Sequence, residues 1–208
     1  MLNSFIKYVG KNFGNPTGTG GKISTHIMNI INQKQYNAVL KNIKLEPHTS
    51  VLDIGFGNGY VIRKILRQHI PVKMYGIEIS NDMLKSVSLK NRQHIITGTV
   101  QLLLEDIGKT SFAQNTFDTV YTVNTIYFWN DLEKGFSEIK RILKPGGIFL
   151  NVLYTKEYLN KIMYTKYGFK KYTIEEIETS TKNSGMQISE IIEIKKKKSY
   201  CIIAENIK

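Results

Sequence analysis

The sequence predicts an α/β fold, a Rossmann-like, seven-stranded, mostly parallel sheet with helices on both faces and a C-terminal antiparallel hairpin. Three observations carry that expectation. Short apolar runs alternate with helix-periodic segments from "SVLDI" to "GIFLNVLY". Three glycines, Gly55, Gly57 and Gly59, crowd the first junction between such a run and such a segment. The last two apolar runs, "ISEIIEI" and "SYCIIA", flank the lysines Lys195 to Lys198, where a hairpin turn would fall.

Taken in order, "GKNFGNPTGTGGKIS" concentrates glycine, proline and threonine, so it reads as a loop feeding a helix through "THIMNIINQKQYNAVLKNI" that stops near Pro47. We assign residues 1–46 to an N-terminal loop and helix and residues 47–208 to the core of a single domain. A chain of 208 residues can bury roughly 70% of its unfolded surface around one core. "SVLDI" is the first strand. After the glycines, "YVIRKILRQH" puts Val61, Ile62, Ile65 and Leu66 on one helical face and Arg63, Lys64, Arg67 and Gln68 on the other. "VKMYGIEI" is the second strand, Ser80 caps the helix "NDMLKSVSLKN", and "VQLLLE" and "FDTVYTV" are the third and fourth strands. "DLEKGFSEIKRILK" follows as a helix stopped by "PGG", and "GIFLNVLY" is the fifth strand. Thr173 and Glu176 have capping-box spacing, and Gly185 ends their helix.

Composition excludes several classes. A hydrophobic content of 41% opposes disorder. No apolar run approaches the ~20 residues of a membrane-spanning helix, and the N-terminus lacks a signal-peptide pattern, so a cytoplasmic location is expected. The single cysteine, Cys201, supports neither an internal disulfide nor a cysteine-rich metal site. A net charge of +12 permits attraction of anions; the lysine run itself reads as a solvated turn rather than a phosphate patch, since no aromatics interleave with it.

Function is legible at the glycines. In a doubly wound sheet, ligands bind at the carboxyl ends of the strands where the strand order reverses, and bare backbone lets a ligand approach closely. Glu78 ends the second strand nineteen residues after Gly59, the place of an acid that holds ribose hydroxyls. The glycine register is GxGxG rather than GxGxxG, and Tyr60 stands where a dinucleotide fingerprint has its third glycine. With Asp53 two residues ahead of Gly55, a cationic or zwitterionic tail suits the site better than a pyrophosphate.

Four ordered segments, "VLDIGFGNG", "YGIEISNDML", "LEDIGKTSFAQNTFDTVYTVNTIYFW" and "EIKRILKPGG", cover most of residues 50 to 150. Together they resemble the class I S-adenosylmethionine-dependent methyltransferases, in particular the small-molecule type that includes ubiquinone and menaquinone biosynthesis. The resemblance implies S-adenosyl-L-methionine as cofactor and S-adenosyl-L-homocysteine as product. By that resemblance Asp53, Gly55, Gly57 and Gly59 surround the methionine part, Glu78 holds the ribose, and Asp106 with Ile107 addresses the adenine. Met83 is carried over to the adenine edge and Asn124 to the sulfonium neighbourhood. Phe56 and Ile107 depart from the small residues usual at their positions.

Methyl transfer asks mainly for positioning and exclusion of water. The resemblance implies that the N-terminal loop and helix of residues 1–46 fold over the cofactor as a lid. No catalytic residue is assigned; His26, which follows the lid's glycine-rich loop, and Tyr127 are the candidates. Tyr127, Trp129 and His26 are the candidate acceptor contacts, and Tyr127 and Trp129 suit an apolar or planar small molecule. The competing readings are methylation of RNA or other nucleic acid, against which "NTIYF" lacks the Asn/Asp-Pro-Pro-aromatic segment of base amino methylation, and a non-catalytic cofactor-binding accessory protein. A nicotinamide dehydrogenase is a third. No metal is called for, and the sequence assigns neither an oligomeric state nor the methylated atom.

Overall fold

The structure, a computed structural model, describes Gly10 and residues 31–207; the expected lid loop and His26 lie outside the described residues. The first expected helix is described as α1 (Gln33–Asn42). The strands are β1 (Ser50–Ile54), β2 (Lys73–Glu78), β3 (Val100–Leu104), β4 (Phe117–Val123), β5 (Leu143–Tyr154), β6 (Gln187–Lys195) and β7 (Ser199–Glu205). They form one sheet in the order β3-β2-β1-β4-β5-β7-β6. Neighbours from β3 through β5 are parallel, and β7 lies antiparallel between β5 and β6. The mostly parallel sheet with a closing hairpin is thus as expected, and the lysine run ends β6 at Lys195 and forms the β6–β7 turn with Lys196 to Lys198.

Strands buried on both faces read as apolar runs because helices cover each side. Four of the five β1 residues are buried. One face packs Leu52, Phe117, Phe149 and Ile202 against Phe136 and Ile139 of α5 (Leu132–Ile142). The other packs Val51, Met74, Tyr121 and Leu150 against Val39 of α1 and Ile62 and Ile65 of α2 (Tyr60–Leu66).

Helix starts follow from side-chain caps. The Ser80 hydroxyl accepts from the Met83 amide at the start of α3 (Asn81–Lys90), and Asp131 accepts from Lys134 at the start of α5. A short α4 (Arg92–Ile96) and α6 (Lys156–Leu159) were not expected from periodicity, being too short to display it. The reciprocal box of Thr173 and Glu176 opens α7 (Ile174–Asn183). β5 begins at Leu143 rather than at Gly147: Leu143 pairs with Phe117, the chain bulges through the Pro-Gly-Gly, and pairing resumes at Ile148 with Thr119. Strand order reverses between β1, which neighbours β2, and β4, so the loops after β1 and β4 face one crevice. Among the described residues no helix is long and apolar enough to cross a membrane.

Candidate functional site

The crevice at the reversal is a cleft of about 980 Å³, counted with its open mouth. Its floor is the loop after β1. Gly55, Gly57 and Gly59 hold φ of +70°, +51° and +68°, the left-handed region that favours glycine. Two of them are also sterically required. A Cβ on Gly55 would stand 2.5 Å from Thr125 Cγ2, and one on Gly59 would stand 2.7 Å from Val87 Cγ1. Gly57 differs, since a Cβ there would meet nothing within 4 Å and would project into open space.

Phe56 turns into the core. Its ring lies over Gly76 of β2, where a Cβ would come within 2.6 Å of Phe56 Cδ1. A large residue in the loop is thus accommodated by a missing side chain in the neighbouring strand, and the cleft keeps its floor.

Two carboxylates stand beside the glycines. Register places Asp53 opposite Tyr121, whose hydroxyl donates to Asp53 Oδ2 at 2.8 Å. Burial pushes the Asp53 carboxyl up to about 8, against the Tyr121 hydrogen bond and with help from the Glu78 charge. Glu78 is 6% exposed. Its Oε2 accepts from the Gly57 amide at 2.9 Å, and its Oε1 accepts from the amides of Ile79 at 2.9 Å and Ser80 at 3.0 Å. Burial raises its pKa while these three bonds oppose the rise. Glu78 therefore clamps the glycine loop to the end of β2.

The far wall carries Asp106 and Ile107. Asp106 Oδ1 accepts from the Gly108 amide at 2.7 Å, an Asx turn, and its Oδ2 accepts from Asn130 at 3.1 Å. Ile107 is buried in the core and lines the cleft. Trp129 also lines the cleft, held by its indole N–H on Thr125 Oγ1 at 3.3 Å and by an edge contact with Phe136. Met83 is buried at the start of α3 and is not part of the cleft lining.

Tyr60 and Asn124, together with Asn32 and Tyr36, which no motif singled out, complete the site. Tyr36 of α1 stacks on Tyr60 with ring centroids 4.8 Å apart, and both line the cleft. Tyr60 thus occupies the third-glycine position as an aromatic wall. Asn124, after β4, holds a φ of +58° and donates to Asn32 Oδ1 at 3.0 Å. The signal for Asn32 and Tyr36 is their pairing across the chain, with Asn124 and Tyr60, which one sequence does not display.

A second cavity of about 750 Å³ adjoins the first and shares Asn32, Asn124 and Phe128 with it. Its remaining wall is aromatic and aliphatic, chiefly Tyr154, Tyr158, Tyr164, Leu159 and Phe169. Tyr127 lines it by its ring, but the hydroxyl is engaged: its one hydrogen is shared between two acceptors, Tyr154 O at 3.1 Å and Asn124 Oδ1 at 3.2 Å, and its oxygen accepts from the Tyr154 amide. Burial holds the Tyr127 phenol far above its ordinary value. Lys170 Nζ donates to the carbonyls of Trp129 and Asn130, fixing the segment that separates the two spaces.

Comparison with known proteins places this architecture. A family model described as "Methyltransferase domain" matches residues 52–151. An uncharacterized methyltransferase, YdaC of Bacillus subtilis, is 31% identical over 125 residues, covering 60% of this chain and 67% of the relative. Phosphoethanolamine N-methyltransferase 2 of Caenorhabditis elegans is 33% identical over 135 residues, covering 63% of this chain but 30% of that protein. Among solved structures, a SAM-dependent methyltransferase from Aquifex aeolicus superposes with a TM-score of 0.72 at 20% identity, covering 99% of this chain and 98% of that one. The chain thus spans two thirds of the Bacillus protein and under a third of the nematode one.

Proposed function

The chain belongs to the class I S-adenosylmethionine-dependent methyltransferases, and from that premise we propose that it methylates a small-molecule acceptor seated in the aromatic cavity. The observation that carries this reading is the shared boundary: Asn32, Asn124 and Phe128 face both the glycine-floored cleft and the second cavity. A donor in one space and an acceptor in the other would meet there.

The cleft fits the family's cofactor by the chemistry of its residues. The open space before Gly57 takes an amino-acid tail that a side chain would block. Asp53, buried and held neutral up to about pH 8 without a cation, would gain its partner from an α-ammonium group. Glu78 spends three lone-pair directions on backbone amides and keeps capacity for a ribose hydroxyl, since a carboxylate accepts about four hydrogen bonds. Asp106 and Ile107 would face the adenine, and Asn124 the sulfur; Met83 would support that wall from the core. When bound, the cofactor supplies a methyl group on a sulfonium, which leaves as a neutral thioether.

The chain's own contribution is placement. Tyr36 stacked on Tyr60, with Trp129 opposite, would keep water from the donor side, and Phe128 and the tyrosines would hold the acceptor in line. Tyr127 is a positioning residue, because its hydroxyl is saturated by Asn124 and the Tyr154 backbone and its phenol resists ionisation. An acceptor that ionises before attack needs no protein base, and the nematode relative's name offers one small polar precedent.

The test uses the purified chain, cofactor carrying a labelled methyl group, and two acceptor pools: a small-metabolite extract and total RNA. Label is expected in the metabolite pool. Label confined to RNA, or none in either while S-adenosylhomocysteine binds, would contradict the reading.

A further inference from the structure

The lysine run is the feature that the fold leaves over. Its turn is rigidly built. Lys198 donates its amide to Lys195 O at 2.8 Å, Lys197 takes a φ of +54°, and Glu193 Oε1 accepts from the Lys197 amide and the Tyr200 hydroxyl. The Lys198 carbonyl accepts from the Thr155 amide at 2.9 Å, tying the turn to the segment that enters α6. This conformation divides the four lysines. Lys196, Lys197 and Lys198 are exposed and Lys195 is half-buried, but the ring contacts fall to Lys195, 5.6 Å from the Tyr154 ring centroid, and Lys198, 5.5 Å from that of Tyr158. Those two tyrosines, with centroids 5.0 Å apart, form one wall of the aromatic cavity.

Neither ammonium has a carboxylate partner within 4.0 Å among the described residues; the ion pairs there join other groups. Glu193, the acid of the turn, is committed to the Lys197 amide and Tyr200. Among the described residues, the hydrogen-bond contact of Lys195 Nζ is the Tyr154 hydroxyl, at 3.4 Å. The Lys195 pKa is lowered by burial and by the charges of Lys34 and Lys198, so cations crowd this wall.

We infer that the acceptor carries an anionic head, a phosphate or carboxylate, held by Lys195 and Lys198 beside the tyrosine wall while its apolar body fills the cavity. The inference rests on that cavity being the acceptor site. Neither lysine lines the cavity itself; a lysine stem is long and flexible, so rotation about it would bring each ammonium toward the ring edge, where an anionic head would gain charge-assisted hydrogen bonds from both.

Three aromatic probes of one size test this, titrated calorimetrically into the full chain saturated with S-adenosylhomocysteine: 2-naphthol, 2-naphthoate and 2-naphthyl phosphate. At least one anion should bind about tenfold or more tightly than the neutral naphthol, and the ranking of the two anions tells which head the site takes. K195Q/K198Q should abolish the preference. K196Q/K197Q, which removes the same net charge, should keep it. Equal affinities, no binding of any probe, a preference surviving in K195Q/K198Q, or its loss in K196Q/K197Q would overturn the inference. Failure of the chain to bind S-adenosylhomocysteine at all would instead strike the methyltransferase reading beneath it.

Discussion

The glycine-floored cleft and the aromatic cavity touch at Asn124 and Phe128, yet they are built in opposite ways. The cleft is made of backbone: glycines held at positive φ and a carboxylate, Glu78, spent on amides. The cavity is made of side chains, drawn from α1's entry, the turn after β4, the end of β5 and the segment through Phe169. Backbone geometry is costly to vary, because each left-handed glycine constrains its neighbours; side chains change one at a time. The difference teaches why one part of such a site is a fixed receptacle and the other an adjustable one.

The sharpest way to break this contrast is Gly57→Leu. Its Cβ meets no protein atom, so the expected damage is to the ligand: S-adenosylhomocysteine affinity should fall by about 100-fold or more, while stability drops only by the left-handed strain of about 1–2 kcal/mol. Calorimetry and chemical denaturation together check it. Next in size is Glu78→Ala, which strands three amides. Unfolding stability and cofactor affinity should both fall, each by about 1–3 kcal/mol, whereas an acceptor-cavity variant should move neither together.

The cleft's legibility follows from the same contrast. Asp53, the three glycines and Glu78 belong to short local patterns with fixed separations, because a strand, a tight turn and a helix impose them. The succession of strands and helices, and with it the mostly parallel sheet, was legible through alternation. What the sequence left obscure depends on distant pairs: Tyr36 meets Tyr60 across 24 positions, Phe56 needs Gly76 beneath its ring, and Lys195 reaches Tyr154 only through the β5–β7 pairing that sets the turn beside it. Tyr127 shows the converse. An aromatic after β4 suggested a contact for the acceptor, but its buried hydroxyl is claimed by the backbone of β5, which no local pattern announces.

A third, moderate effect separates the regions by pH. Asp53 is raised to about 8, so below that value the empty cleft holds its carboxyl protonated; Tyr121, Glu78 and Tyr36 are the titratable groups that sense it. A ligand cation favours the charged form, so binding releases a proton there, and affinity for S-adenosylhomocysteine should rise with pH by up to roughly tenfold per unit until about 8, then level. The sign for the empty protein is the reverse: with the native pKa raised, Asp53 contributes stability at low pH that is lost as pH rises from about 4 to about 8. Asp53→Asn should flatten both trends, read by calorimetry and by denaturation at pH 6, 7 and 8. The smallest effect on cofactor affinity is expected of Tyr127→Phe, which should leave it within about twofold, since its hydroxyl lies on the cavity side, while lowering stability by about 1–3 kcal/mol.

The most direct test is a crystal structure with S-adenosylhomocysteine bound. The account predicts its amino-acid end over Gly57 beside Asp53, its ribose on Glu78, and its sulfur at Asn124, facing the tyrosine-lined space. A nucleoside found elsewhere, or a sulfur turned away from that space, would contradict it.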